Sequence, residues 1–133
     1  DPRRTFILEE SIDYKELTVP ILNRRCLPAV EIKTSESFYN FNAKYVNEDT
    51  QLTELELSKD EKNKLEEICL NTLNVMGCSG WLRIDLVQDR KNNFYVLEVN
   101  TAPGMTSHSL FPKSAESIGL SYNDLVQEII NAK

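Results

Sequence analysis

Short apolar runs separated by polar breaks dominate the first quarter of the chain. Thr5-Phe6-Ile7-Leu8-Glu9 is one such run ending in acid, and residues 17–22 and 27–32 are two more. Runs of this length predict strands, and the Asn23-Arg24-Arg25 break between the last two predicts a hairpin. Pro20 and Pro28 cannot donate to a ladder, which pushes these strands toward a sheet edge or toward strand ends. From residue 34 to 57 the periodicity dissolves into a polar stretch dotted with aromatics, Phe38-Tyr39-Asn40-Phe41-Asn42-Ala43-Lys44-Tyr45. At about 24 residues it exceeds the usual structureless connection and predicts a functional lid or binding loop.

Helical spacing takes over next. Ser58 and Glu61 form an S-x-x-E capping box, and Leu65, Ile68, Cys69, Thr72, Leu73 and Met76 then recur on one stripe, with Gly77 as a left-handed stop. On that stripe Cys69 reads as a buried filler. Residues 81–100 read as a hairpin: an alternating strand from Trp81 to Val87, a turn over residues 89–93, and a second strand from Phe94 to Asn100. Two helices close the chain. One starts near Pro112 and ends at Gly119; the other opens on a Ser121/Asp124 capping pair and is expected to bury Tyr122, Leu125, Val126, Ile129 and Ile130. With no internal repeat or low-complexity segment, the fold class is α+β.

Composition narrows the function. At 133 residues and 41% hydrophobic, the chain suffices for one core, and no apolar run approaches the roughly 18–20 residues of a membrane span. Fifteen basic against 21 acidic residues give a net charge of -6, the opposite of a phosphate-backbone binder, so nucleic acid is not expected as a partner. Cys26, Cys69 and Cys78 form no CxxC pair, which fits reduced thiols in the cytoplasm. The Asp1-Pro2 start suggests a chain cut from something longer, so the lack of a signal peptide says little.

Candidate chemistry concentrates in the 81–100 hairpin. With period 2, Arg83 and Asp85 share one strand face, as do Glu98 and Asn100 on the other strand. A turn centred on Lys91-Asn92 sets Asp85 opposite Glu98 and Arg83 opposite Asn100, while Leu82, Ile84, Leu86, Leu97 and Val99 face a core. Opposed carboxylates destabilise a sheet unless a hard cation such as Mg²⁺ lies between them, and Asn100 adds an amide oxygen. A solvated charged face is the competing reading. The loop from Asn100 to Leu110 then leads into a helix. Gly104 permits close backbone approach to a ligand, and Ser109 with Leu110 offers a hydroxyl and amides at a helix start. Ser109 serving only as an N-cap explains that feature equally well. His108 stands alone, so a zinc site is not expected.

The strings Trp81-Leu82-Arg83-Ile84-Asp85 and Glu98-Val99-Asn100-Thr101-Ala102-Pro103-Gly104-Met105-Thr106-Ser107-His108-Ser109-Leu110 resemble the C-terminal signature of the D-alanine–D-alanine ligases, which are ATP-grasp enzymes. The resemblance extends through Phe41 to Tyr45 and through Leu8 to Ile12, so it covers essentially residues 1–133. It implies the C-terminal part of an ATP-grasp domain, mainly antiparallel sheet flanked by helices. The activity it implies uses ATP to phosphorylate one D-alanine carboxylate and lets the amine of a second attack the acyl phosphate, making the dipeptide for peptidoglycan. On that resemblance Asp85, Glu98 and Asn100 hold two Mg²⁺ ions, with Mn²⁺ as a substitute. Arg83 and the Gly104 amide stabilise the oxyanion, and Ser109 with the Leu110 amide holds the second D-alanine. Glu9, Glu10 and Ile12 contact adenine, Glu16 the ribose and Lys44 the phosphates, while Tyr45 closes the mobile loop. The resemblance also implies a cytoplasmic homodimer. An N-terminal domain and a glycine-rich-loop subdomain of the family have no counterpart among these residues, so the segment alone is expected to be inactive. Residues 51–57 also lack the proline-alanine pair common after the mobile loop. A relative that joins D-alanine to D-lactate, and a non-catalytic nucleotide- or metal-binding module, are the alternatives.

Overall fold

Strand β1 (Lys15–Leu22) is buried at six successive positions because it is covered on both faces, and the other elements are arranged around it. The computed structural model describes residues 5–12, 15–33, 51–106 and 109–132. The strands following β1 are β2 (Arg25–Cys26), β3 (Val30–Lys33) and β4 (Gln51–Glu54); helix α1 (Lys59–Met76) comes next. The hairpin β5 (Trp81–Gln88) and β6 (Phe94–Asn100) precedes helices α2 (Leu110–Ser117) and α3 (Tyr122–Asn131). All strand pairs are antiparallel, in the order β4-β3-β1-β5-β6 with β2 also on β1, so an α+β architecture is observed as expected.

The expected first hairpin is present but split. Asn23 (φ 50°) and Arg24 (φ 63°) form a two-residue turn with both residues left-handed, the twist that suits a tight hairpin. The turn is anchored: the Asn23 N–H donates to the Gly80 carbonyl at 2.8 Å, and the Arg24 guanidinium donates to Asn74 Oδ1 at 2.8 Å. Pro20 does not mark an edge, since it lies in a central strand opposite Arg83. Its carbonyl accepts from the Leu27 N–H at 2.9 Å, so its donorless nitrogen faces the break between β2 and β3, where the ladder needs no donor.

Two further expectations fail for lack or gain of a pairing partner. The run from Thr5 to Glu9 forms no strand, and Phe6, Ile7 and Leu8 are exposed; no described strand pairs with them. Conversely, Gln51–Glu54, read as loop, is strand β4 on the edge of β3, and the following Leu55 N–H donates to the Ala29 carbonyl at 2.9 Å. The apolar pattern misses β4 because two of its four residues, Gln51 and Glu54, are strongly polar. Among the described residues, no helix is long and apolar enough to cross a membrane.

Helix α1 follows its sequence signals closely. Ser58 Oγ accepts from the Glu61 N–H and the Glu61 carboxylate accepts from the Ser58 N–H, while Gly77 (φ 63°) stops the helix. Leu65, Cys69 and Leu73 are buried, but Met76 is 60% exposed because it follows the last turn that meets the sheet. The hydrogen bond with Cys26, together with burial, pushes the Cys69 thiol up, so it is a packed and unreactive filler. Ser58→Ala is expected to cost about 1 kcal/mol of stability at neutral pH in denaturant unfolding. The side-chain and backbone hydrogen bonds from Ser58 hold the Glu61 carboxyl below its ordinary 4.5. The Glu61 half of the box is therefore fully present above that value and is lost as pH falls through the lowered one. The Ser58→Ala deficit should shrink over that acidic range.

The period of 2 along β1 and β5 divides two cores between two faces. Leu17, Val19 and Ile21 with Leu82, Ile84 and Leu86 pack under α1. On the other face, Leu22 and Leu27 join Phe111, Ala115 and Leu125, and Trp81 meets Phe111 edge-on at 5.6 Å and 84°. Val30 and Ile32 cover Leu110. The last helix buries only Leu125. Tyr122 and Ile130 are exposed and Val126 and Ile129 half-buried, because α3 meets the sheet through α2 along a narrow seam. Helices α2 and α3 thus cap one end of this second face, and the stretch carrying Glu16, Thr18, Asp85 and Glu98 lies beside them.

Candidate active site

Asp85 stands opposite Glu98, and Arg83 opposite Asn100, as the hairpin spacing predicts. The way the register arises differs from the expectation. Near the turn Gln88 pairs with Phe94 and Leu86 with Val96, one residue tighter than a turn centred on Lys91-Asn92 gives. A bulge next to Asp85/Leu86 then inserts Leu97 and restores the pairing beyond it. Leu97 is accordingly 56% exposed instead of facing the core, while Phe94 and Val99 pack against it.

The two carboxylates have unequal environments. The Asp85 side chain is 3% exposed and that of Glu98 50%. Arg83 forks onto Asp85, with Nε at 2.8 Å from Oδ1 and Nη2 at 2.7 Å from Oδ2, and its Nη2 lies 3.9 Å from Glu98 Oε1. Thr18, opposite Asp85 on β1, donates its hydroxyl to Asp85 Oδ1 at 2.6 Å. Burial acts against the charged carboxyl, but the Arg83 fork and the Thr18 hydroxyl outweigh it and hold the Asp85 pKa below the ordinary carboxylate value. Sequence reading assigned Arg83 to substrate alone and missed Thr18, whose only signal is a hydroxyl within the apolar run of β1.

Asn100 Oδ1 accepts from the Ala102 N–H at 3.0 Å, turning the chain out of β6. Helix α2 begins at Leu110, not at Pro112; proline is tolerated there because first-turn amides have no intrahelical acceptor. Ser109 is the N-cap residue, yet its side chain caps nothing in α2. Its Oγ instead accepts from the Thr106 N–H at 3.0 Å and lies 2.9 Å from Thr106 Oγ1. A Cβ on Gly104 would sit 2.9 Å from that Oγ, so a side chain there would push the Ser109 hydroxyl aside. The simple N-cap reading of Ser109 is thereby set aside, while the helix start keeps its amides. Tyr122 Oη donates to the Met105 carbonyl at 2.9 Å and pins the loop to α3.

The remaining expected residues divide. Glu16 shares the face of Thr18 and Asp85, opposite Val87. Glu9 and Glu10 are exposed and Ile12 is half-buried; Glu10, Ser11 and Ile12 line a shallow depression with Asp89, Lys91 and Tyr95. Tyr95 was missed by sequence reading, although it shares the Asp85 side of the hairpin through its pairing with Val87. Lys44, Tyr45 and His108 lie outside the described residues.

The donor set suits a hard divalent cation. Among the described residues no three His, Cys, Asp or Glu side chains form a metal cage. Two opposed carboxylates and an amide oxygen are instead the sparse, all-oxygen set that Mg²⁺ accepts while keeping positions for water and phosphate.

Known proteins resemble this chain in sequence and in fold. A family described as "D-ala D-ala ligase C-terminus" matches residues 3–131. The D-alanine--D-alanine ligase of Actinobacillus succinogenes is 43% identical over 125 residues, which are 93% of this chain and 41% of that protein. The crystal structure of the D-alanine--D-alanine ligase from Bacillus anthracis complexed with ATP is 32% identical with a TM-score of 0.79, over 92% of this chain and 39% of that one. A D-Ala:D-Ser ligase from Enterococcus faecalis is 26% identical with a TM-score of 0.76, over 92% and 37% respectively. The chain thus spans about 40% of the length of the proteins it matches. Extending over nearly every residue and reproduced in three dimensions, the match places this chain in the D-alanine–D-alanine ligase C-terminal family.

Proposed function

We propose that the polypeptide carrying this chain is an ATP-dependent ligase that joins two D-alanines, and that the described residues form the metal-ligand and acceptor side of its active site. The observation that carries the reading is the hairpin face on which Arg83, Asp85, Glu98 and Asn100 meet Thr18, next to the loop that Gly104 closes onto Ser109. Asp85, Glu98 and Asn100 would hold Mg²⁺, as two ions. The chemistry that Mg²⁺ would supply when bound there is neutralisation of the phosphate charge in phosphoryl transfer.

The protein groups have separate tasks. The carboxylate of the first D-alanine takes the γ-phosphoryl group from ATP, and ADP leaves. The amine of the second attacks the acyl carbon and loses a proton, and collapse of the tetrahedral species expels phosphate. Arg83 and the Gly104 N–H stabilise the oxyanion of that species. Ser109 Oγ and the Leu110 N–H bind the acceptor carboxylate at the start of α2. Glu9, Glu10 and Ile12 contact adenine, Glu16 the ribose and Lys44 the phosphates; Tyr45 closes over the substrates and excludes water.

The test is D-alanine-dependent phosphate release from MgATP by the intact polypeptide, with the product identified by mass. D-Alanyl-D-alanine is expected. Failure to release phosphate with D-alanine overturns the reading, and release only with D-serine or D-lactate as acceptor reassigns the second site. The 133 residues alone are expected to release none. Gly104→Ala should lower kcat/KM for the acceptor about 10–100-fold by displacing Ser109, with stability changed by about 0.5 kcal/mol or less. An unchanged acceptor kcat/KM in steady-state kinetics would separate Ser109 from acceptor binding.

A further inference from the structure

Thr18 is fully buried on the face of β1 away from the α1 core, where packing alone would be served by valine. Its hydroxyl has one proton and two carbonyl-type neighbours. Asp85 Oδ1 at 2.6 Å takes it, whereas the Ile84 carbonyl stands off at 3.4 Å. An O–H···O⁻ bond this short to a buried carboxylate is charge-assisted and directional. It fixes the torsion of Asp85 from a neighbouring strand whose register, Thr18 opposite Asp85, is held along all eight residues of β1.

Arg83 also orients Asp85, but through a long side chain that the proposed function directs to the substrate oxyanion. A guanidinium addressing substrate leaves its fork on Asp85 weakened, while the Thr18 hydroxyl, fixed by the strand, stays. Resting on the reading of Asp85 as a Mg²⁺ ligand, we propose that Thr18 is a positioning residue that sets the carboxylate orientation of Asp85 for the metal. Partners one step removed from a metal commonly alter its affinity by about 10–100-fold.

The experiment measures ADP binding to the intact polypeptide in Mg²⁺ and in EDTA, for wild type, Thr18→Val, Thr18→Ser and Asp85→Asn. Thr18→Val keeps the volume and removes the hydroxyl; Thr18→Ala replaces it if the valine protein does not fold. The expected result is an approximately tenfold or greater loss of the Mg²⁺-dependent gain in ADP affinity in Thr18→Val, with EDTA binding unchanged. Thr18→Ser should restore the gain, which a purely structural role for the side chain would not require. Equal Mg²⁺ dependence in wild type and Thr18→Val, or equal loss in Thr18→Ser, overturns the proposal. If Asp85→Asn abolishes the gain while Thr18→Val leaves it, only the Thr18 inference fails. If Asp85→Asn leaves the gain intact, the metal reading beneath it fails.

Discussion

Arg83→Ala in the intact polypeptide is expected to lower turnover by about 10²–10³-fold, the usual cost of removing one oxyanion donor. The same substitution leaves Asp85 buried without its fork, and loss of one partner of a buried pair costs about 3–5 kcal/mol of stability. The two consequences separate with Arg83→Lys. Lysine retains a charge near Asp85 but cannot reproduce two parallel N–H···O bonds. Denaturant unfolding should therefore show much of the stability returned, while steady-state phosphate release stays well below wild type. A rate loss under tenfold in Arg83→Ala would remove Arg83 from the catalytic groups and leave it as the counter-charge of Asp85.

The largest effect on stability alone is expected at Phe111. Its ring is fully buried among Leu22, Leu27, Ala115 and Leu125 and meets Trp81 edge-on. Phe111→Ala should cost about 3–5 kcal/mol in denaturant unfolding through lost burial and the cavity left behind. The residue also follows Leu110 in the first turn of α2, so the loss loosens the helix start that carries the proposed acceptor site. Acceptor KM is expected to rise while the KM for ATP stays near wild type, because the carboxylate face lies on β5 and β6. A stability change under about 1 kcal/mol would mean that the sheet repacks around the space. Phe111→Leu, which fills much of that space, should recover most of the loss.

How far the sequence could lead is clearest in the hairpin. A turn centred on Lys91-Asn92 paired Asp85 with Glu98 correctly, but only because a turn one residue tighter and a one-residue bulge offset each other. The bulge at Leu97 was illegible, since leucine in a strand run looks like a core residue wherever it falls. Pro20 misled for a related reason: its cost depends on whether the neighbouring chain needs a donor at that position, which is a tertiary fact. Thr18 carried no more signal than a hydroxyl in an apolar run, because its importance lies in what stands opposite. Helix α1 was legible almost throughout, as caps and stripe are local features. Ser109 was half legible: its place before a helix could be read, but the use of its hydroxyl could not.

The inserted Leu97 has a consequence for any attempt to shorten or graft this hairpin. Leu97 and Glu98 together stand against Asp85, so Glu98 keeps its side of the sheet whether or not Leu97 is present. Deleting Leu97 while holding the turn and the Phe94 pairing would give a regular ladder with Glu98 still opposite Asp85 and Val99 still opposite Ile84, and would remove only the bend and added twist of the bulge. A shortened or grafted hairpin can therefore dispense with Leu97 and keep both carboxylates on one face, changing the local shape of the strand and not its sidedness.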